Sequence, residues 1–223
     1  VNSKVNIETS LLFPTVVSKV EHGDRPENQY FYDLVSKMKL DKSIANKCEA
    51  ADTTTFMGYQ PDIVLHEYLE NDPMWQSFMN QCFHPAIQAH MQKHQMIAGF
   101  PVPGSTYVIH SSWAVIYPAN SYQAPHFHRD TSCVFTYYVK VPKRPSPEAA
   151  ITFINPNLAS TYPKLKSFAY DHTIQPKNGS NVIFPGSMQH YAHPHFGDEE
   201  KMIIVFDIGF EPPSGYQRQK NRY

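Results

Sequence analysis

Two short windows of the chain concentrate residues able to hold a metal. The first is Ala124-Pro125-His126-Phe127-His128-Arg129-Asp130, and the second is Met188-Gln189-His190-Tyr191-Ala192-His193-Pro194-His195. On an extended chain alternate residues share a face, so His126, His128 and Asp130 can point the same way. A pair of ligands from one strand end, completed by a distant histidine from a later strand, builds a facial triad. Two histidines and a carboxylate on one side of Fe(II) leave the opposite positions open for a co-substrate and O2. Charge balance favours His128, Asp130 and His190, because the aspartate offsets the divalent charge. An all-histidine set of His126, His128 and His190 stands close beside it. Of the other histidines, His22, His66, His84, His90 and His94 read as bland, the last three along a helix face; His110 and His172, within strands, read as structural; His193 and His195, in a loop beside His190, are candidates to support the ligands from outside or to lie on the surface.

The elements that must position these residues change character near residue 105. Before it, Phe31, Leu34, Val35 and Met38 recur at helical spacing, which predicts a helix over about 27–47. Asp72 and Pro73 open a second helix bearing Trp75, Phe78, Met79 and Cys82 on one face. Pro85 kinks or restarts it on the way to about Gln95. LLFPTVV (11–17) reads as a short strand, with 18–28 and 50–62 as polar loops that could form a rim or lid. After residue 105, segments 105–118, 133–142, 149–154, 166–176, 181–185 and 201–210 are short, β-branched and aromatic, with Pro and Asn turns between them. This is a mainly β chain, a sandwich or barrel with N-terminal helices over one face. It reads as a single domain over 1–223, its helical part about 1–104, its barrel about 105–210 and its tail 211–223.

The 223 residues suffice for a sizeable core, and a net charge of -1 gives no excess of Lys and Arg for nucleic acid or an anionic membrane. No apolar run approaches the roughly 20 residues of a spanning helix. The start of the chain shows no signal-peptide pattern, and three scattered cysteines suit a reducing compartment, so the cytoplasm is the expected location. With 12 His, 14 Tyr and 14 Phe, the composition points to a metal or small-molecule pocket, and Tyr117, Tyr122, Phe127 and Tyr138 are candidates to line it.

The order of motifs resembles the 2-oxoglutarate/Fe(II)-dependent oxygenases, in particular a short bacterial and phage branch. Those motifs are Leu12-Phe13-Pro14-Thr15, Trp113, His126-Phe127-His128, Tyr137-Tyr138-Val139, Phe184-Pro185, His190 and Lys201. The resemblance implies a double-stranded β-helix, a jelly-roll barrel of cupin type. It implies Fe(II), 2-oxoglutarate and O2, with oxidative decarboxylation of the keto acid coupled to hydroxylation of a small-molecule, amino-acid or peptide substrate. Lys201 falls where the family usually carries an Arg that grips the distal carboxylate of 2-oxoglutarate. It keeps the charge and loses the two-pronged donor. Ile203 stands where a hydroxyl is often found, and bulkier residues around Phe135 replace an expected glycine. Two rival readings remain: a cupin-like metal dioxygenase that uses no keto acid, and a non-catalytic metal-binding barrel.

Overall fold

A computed structural model describes residues 15–50, 53–155 and 170–216. The chain forms strand β1 (Ser18–Glu21), helix α1 (Pro26–Leu40), strand β2 (Thr55–Phe56), and helices α2 (Leu65–Tyr68), α3 (Pro73–Phe78) and α4 (His84–Ala98). Eight strands follow: β3 (Thr106–Tyr117), β4 (Tyr122–His126), β5 (Cys133–Lys140), β6 (Ile151–Ile154), β7 (Asp171–Ile174), β8 (Ser180–Pro185), β9 (His190–Ala192) and β10 (Lys201–Glu211).

Helix α1 begins on Pro26, whose fixed φ suits a first turn, and ends at Leu40, short of the expected 47. Phe31, Val35 and Met38 form its buried stripe. Asp72 accepts from the Trp75 backbone N–H and caps α3. Pro85 cannot donate to the turn before it, and a widened π turn over Met79–Phe83 separates α3 from α4. The expected strand over 11–17 lies largely outside the described residues. The first described strand falls instead at 18–21, within the segment read as polar. It is an edge strand with alternating exposure and one apolar side chain, Val20, too faint a pattern to mark it.

Strands β1-β8-β5-β10-β3 make one antiparallel sheet and β2-β4-β9-β6-β7 the other. From β3 to β6 every successive strand changes sheet, and β7 through β10 cross over again at each step from β7 onward. This winding is the expected double-stranded β-helix. Two layers of apolar side chains result from the period of 2. On β10, Met202, Ile204, Phe206 and Ile208 face the helices, while Ile203 and Val205 face between the sheets. The helices cover the outer face of the first sheet through Phe31, Trp75, Phe78 and Phe83. The second face of that sheet meets Ile151 and Phe153. All three cysteines are free. Among the described residues no helix is long and apolar enough to cross a membrane.

Phe206 is the hub between helices and sheet: it is fully buried, 4.4 Å from the Phe83 ring and 5.6 Å from those of Trp75 and Phe135. Phe206→Ala leaves a cavity no single neighbour can fill. We expect about 3–5 kcal/mol loss of stability, read by denaturant unfolding; a loss below about 1 kcal/mol would show that the helices do not rely on this contact.

Candidate metal centre

The two histidine windows meet through strand pairing. His126, the last residue of β4, and His190, the first of β9, are direct cross-strand partners in the second sheet. Their rings lie 4.2 Å apart between centroids. Between Gln123 and His126 the register slips by one residue. A bulge of this kind lets both Gln123 and His126 face the inter-sheet pocket, which an uninterrupted period of 2 would forbid. Pro125, with no N–H to give to a ladder, sits inside that irregularity, where a proline is tolerated.

His128 lies two residues past the end of β4 and is held from three sides. Its backbone N–H donates to the Gly186 carbonyl at 2.8 Å. Trp113 stacks on its ring at 5.9 Å and 17°. Its Nδ1 lies 2.6 Å from Asp207 Oδ1. Gly186 permits the approach, since a Cβ there would stand 2.4 Å from the Thr131 carbonyl oxygen.

One ring nitrogen from each of His126, His128 and His190 lies within 4.8 Å of the others. The hydrogen bonds identify the tautomers. His126 Nδ1 is 2.9 Å from the Ala124 carbonyl and His190 Nδ1 is 2.9 Å from the Met188 carbonyl. A carbonyl only accepts, so each Nδ1 carries the proton and each Nε2 keeps its lone pair. The Asp207 carboxylate imposes the same tautomer on His128. Three imidazoles whose Nδ1 atoms are engaged and whose ring nitrogens converge fit a divalent first-row metal, and the Nδ1–H bonds are the outer partners that metal-binding histidines usually have.

Asp130 is not brought into this group. The backbone leaves the extended form after His128 and turns left-handed at Asp130, with φ 54°, so the shared-face expectation for 126, 128 and 130 ends at 128. Asp130 is exposed. The geometry therefore assembles His126, His128 and His190 in place of the favoured His128, Asp130 and His190. Asp207, which sequence reading passed over, is the carboxylate at the site. A charged residue in the otherwise apolar IIVFDIGF run, in phase with Ile203 and Val205, is the signal that marks it.

Lys201, at the start of β10, lines the same narrow pocket. The residue is 2% exposed. Its Nζ donates to the Ala149 carbonyl at 2.9 Å and lies 5.3 and 5.6 Å from the Tyr117 and Tyr138 ring centres. Among the described residues no carboxylate pairs with it, and burial pushes its pKa down to about 7. Tyr117 and Tyr138 line the pocket as expected. Phe127 sits at the rim of an outer groove, and Tyr122 is turned outward and stacks on Phe56. His193 bonds Thr152, and His195 bonds the Glu199 carbonyl. The outer groove exposes His126 and His128 to residues of the expected rim, Thr53, Thr54, Thr55, Gln60 and Asp62.

Residues 111–207 match the family described as "Putative 2OG-Fe(II) oxygenase". No curated protein sequence matches the chain. Among solved structures, a Pseudomonas putida prolyl-4-hydroxylase is 11% identical, with a TM-score of 0.52 over 89% of this chain and 93% of that one. SnoN, a non-heme alpha-ketoglutarate-dependent epimerase from nogalamycin biosynthesis, is 15% identical, with a TM-score of 0.56 over 90% and 80%. HygX from Streptomyces hygroscopicus, solved with nickel, 2-oxoglutarate and hygromycin B, is 9% identical, with a TM-score of 0.55 over 91% and 84%. At such identities these likenesses speak for the fold.

Burial, reinforced by the neighbouring imidazoles, pushes His126 down to about 4 and His190 down to about 3. Both folded values lie below the unfolded value of about 6.5. The unfolded chain therefore takes up protons first as pH falls, and stability is lost progressively from about pH 6.5 toward 3. Chemical denaturation of the metal-free protein across that window should show the midpoint falling with pH. His190→Gln should flatten the slope, and an equal slope in both proteins would contradict the assignment.

Proposed function

We propose that this chain, whose residues 111–207 match the family described as "Putative 2OG-Fe(II) oxygenase", is a substrate hydroxylase of the 2-oxoglutarate/Fe(II)-dependent oxygenase superfamily in which His126, His128 and His190 hold Fe(II) and Lys201 anchors 2-oxoglutarate. The convergence of three imidazoles with free Nε2 atoms carries this reading. When bound, Fe(II) with 2-oxoglutarate and O2 supplies oxidative decarboxylation of the keto acid to succinate and CO2, coupled to hydroxylation of a C–H bond.

The protein's own part is orientation and exclusion of water. Nδ1–H bonds to Ala124, Met188 and Asp207 hold the three rings before the metal arrives, which reduces the ordering cost of binding. Lys201 is a buried cation with no anionic partner among the described residues, and one of its three N–H bonds goes to Ala149. The remaining donors suit a carboxylate placed between the Tyr117 and Tyr138 rings. The apolar walls Val115, Ile203 and Val205 keep that end dry and strengthen the charge-assisted contact. The substrate, a small molecule or an amino-acid or peptide side chain, enters by the outer groove, whose lining is mostly polar.

The all-histidine set also suits a cupin-like dioxygenase that uses no keto acid. Lys201 supports the keto-acid reading over that one, because an anionic ligand would offset the desolvation that pushes its pKa down to about 7.

Anaerobic addition of 2-oxoglutarate to the Fe(II) protein should produce a visible charge-transfer band, and admitting O2 should release succinate. His190→Ala should abolish both; an Fe(II) protein giving no band would favour the keto-acid-free rival. Lys201→Met should weaken 2-oxoglutarate binding by roughly 1.5–3 kcal/mol, the worth of a charged hydrogen bond.

Lys201, pushed down to about 7, must take up a proton above that pH before pairing with the carboxylate. The Kd for 2-oxoglutarate should therefore rise about tenfold per pH unit above 7, a dependence that Lys201→Met should lack. A flat profile in the parent would show the lysine already charged.

A further inference from the structure

We propose that Asp207 is a positioning residue that supplies, through His128, the negative charge that the three-imidazole ligand set lacks. This rests on the ligand reading above. An imidazole ligand brings no charge to a divalent ion, and among the described residues no carboxylate lines the inter-sheet pocket that all three share, Asp62 lining only the outer groove. Asp207 lies behind that wall, with Oδ1 2.6 Å from His128 Nδ1 and side chains 20% and 9% exposed, respectively.

The three histidines are not equivalent. His126 and His190 donate to backbone carbonyls, whereas His128 alone donates to a carboxylate. A full charge behind the ring raises its basicity more than a carbonyl dipole can, and so strengthens its bond to a cation. The geometry is held from both ends. Asp207 sits on a central strand, paired with Ser111 of β3 and Val134 of β5. Trp113 presses on the His128 ring and fixes its plane. In the two-histidine-one-carboxylate arrangement the anion contacts the metal directly; in this chain it stands one imidazole farther out.

The test uses full-length protein without a histidine tag, stripped of metal and titrated anaerobically with Fe(II) and, as a spectroscopic probe, Co(II). Asp207→Asn keeps an acceptor for the Nδ1–H and removes the charge; Asp207→Ala removes both; Asp207→Glu keeps the charge on a longer arm. We expect Asp207→Asn to bind either metal about 10–100-fold more weakly, with the melting temperature of the metal-free protein near that of the parent. Asp207→Ala should be weaker still and Asp207→Glu partly restored. The Fe(III)/Fe(II) potential should move positive in Asp207→Asn, since the ferric state depends most on the lost charge. Parent-like affinity and potential in Asp207→Asn would overturn the inference, as would a fall in melting temperature with both unchanged. A parent that binds neither metal, or an equally tight His190→Ala variant, would overturn the ligand reading as well.

Discussion

The site depends on one cross-strand pairing. His126 and His190 face each other across adjacent antiparallel strands of the second sheet, so hydrogen bonds between backbones, not between the rings, hold two imidazoles in contact. Crowded, buried imidazoles resist protonation, and burial lowers both His126 and His190. The fold thus spends stability to keep a cluster of neutral bases together, and a cation that binds their lone pairs recovers part of it. The third imidazole comes from a loop and needs additional restraints, which Trp113, Gly186 and Asp207 provide.

Strand β10 joins the two ends of the pocket. Lys201, Ile203, Val205 and Asp207 occupy alternate positions facing the inter-sheet space, while Met202, Ile204, Phe206 and Ile208 pack beneath the helices. A single strand therefore sets the spacing between the cation at the closed end and the carboxylate behind His128. Its position between β3 and β5 makes that spacing rigid. The helices bear on the pocket indirectly, by burying the opposite face of this strand around Phe206.

Opposite charges sit at opposite ends of this pocket without compensating each other. Lys201 has no anionic partner among the described residues, and its low pKa follows from desolvation. Asp207 is engaged with His128. On the proposed function, a dianionic keto acid and a divalent ion together would complete both ends.

Much of this was legible from residue order alone. The period of 2 after residue 105, the capped helix at Asp72-Pro73 and the paired histidine windows each record local physics: side-chain alternation, an N-cap and ligand chemistry. The fold class, the two windows and Lys201 were therefore available without coordinates. Which of the candidate side chains the fold brings together was not. Extended-chain alternation put Asp130 on the same face as His128, but the left-handed turn at Asp130 ends that alternation, and the bulge around Pro125 sets the parity that turns His126 inward. Both depend on how β4 pairs with β9 and where the chain must bend to reach β5. Asp207 joined the site only because β10 lies beside β3 and β5, more than 70 residues on from His128. Local sequence encodes which groups can bind; strand register decides which of them meet.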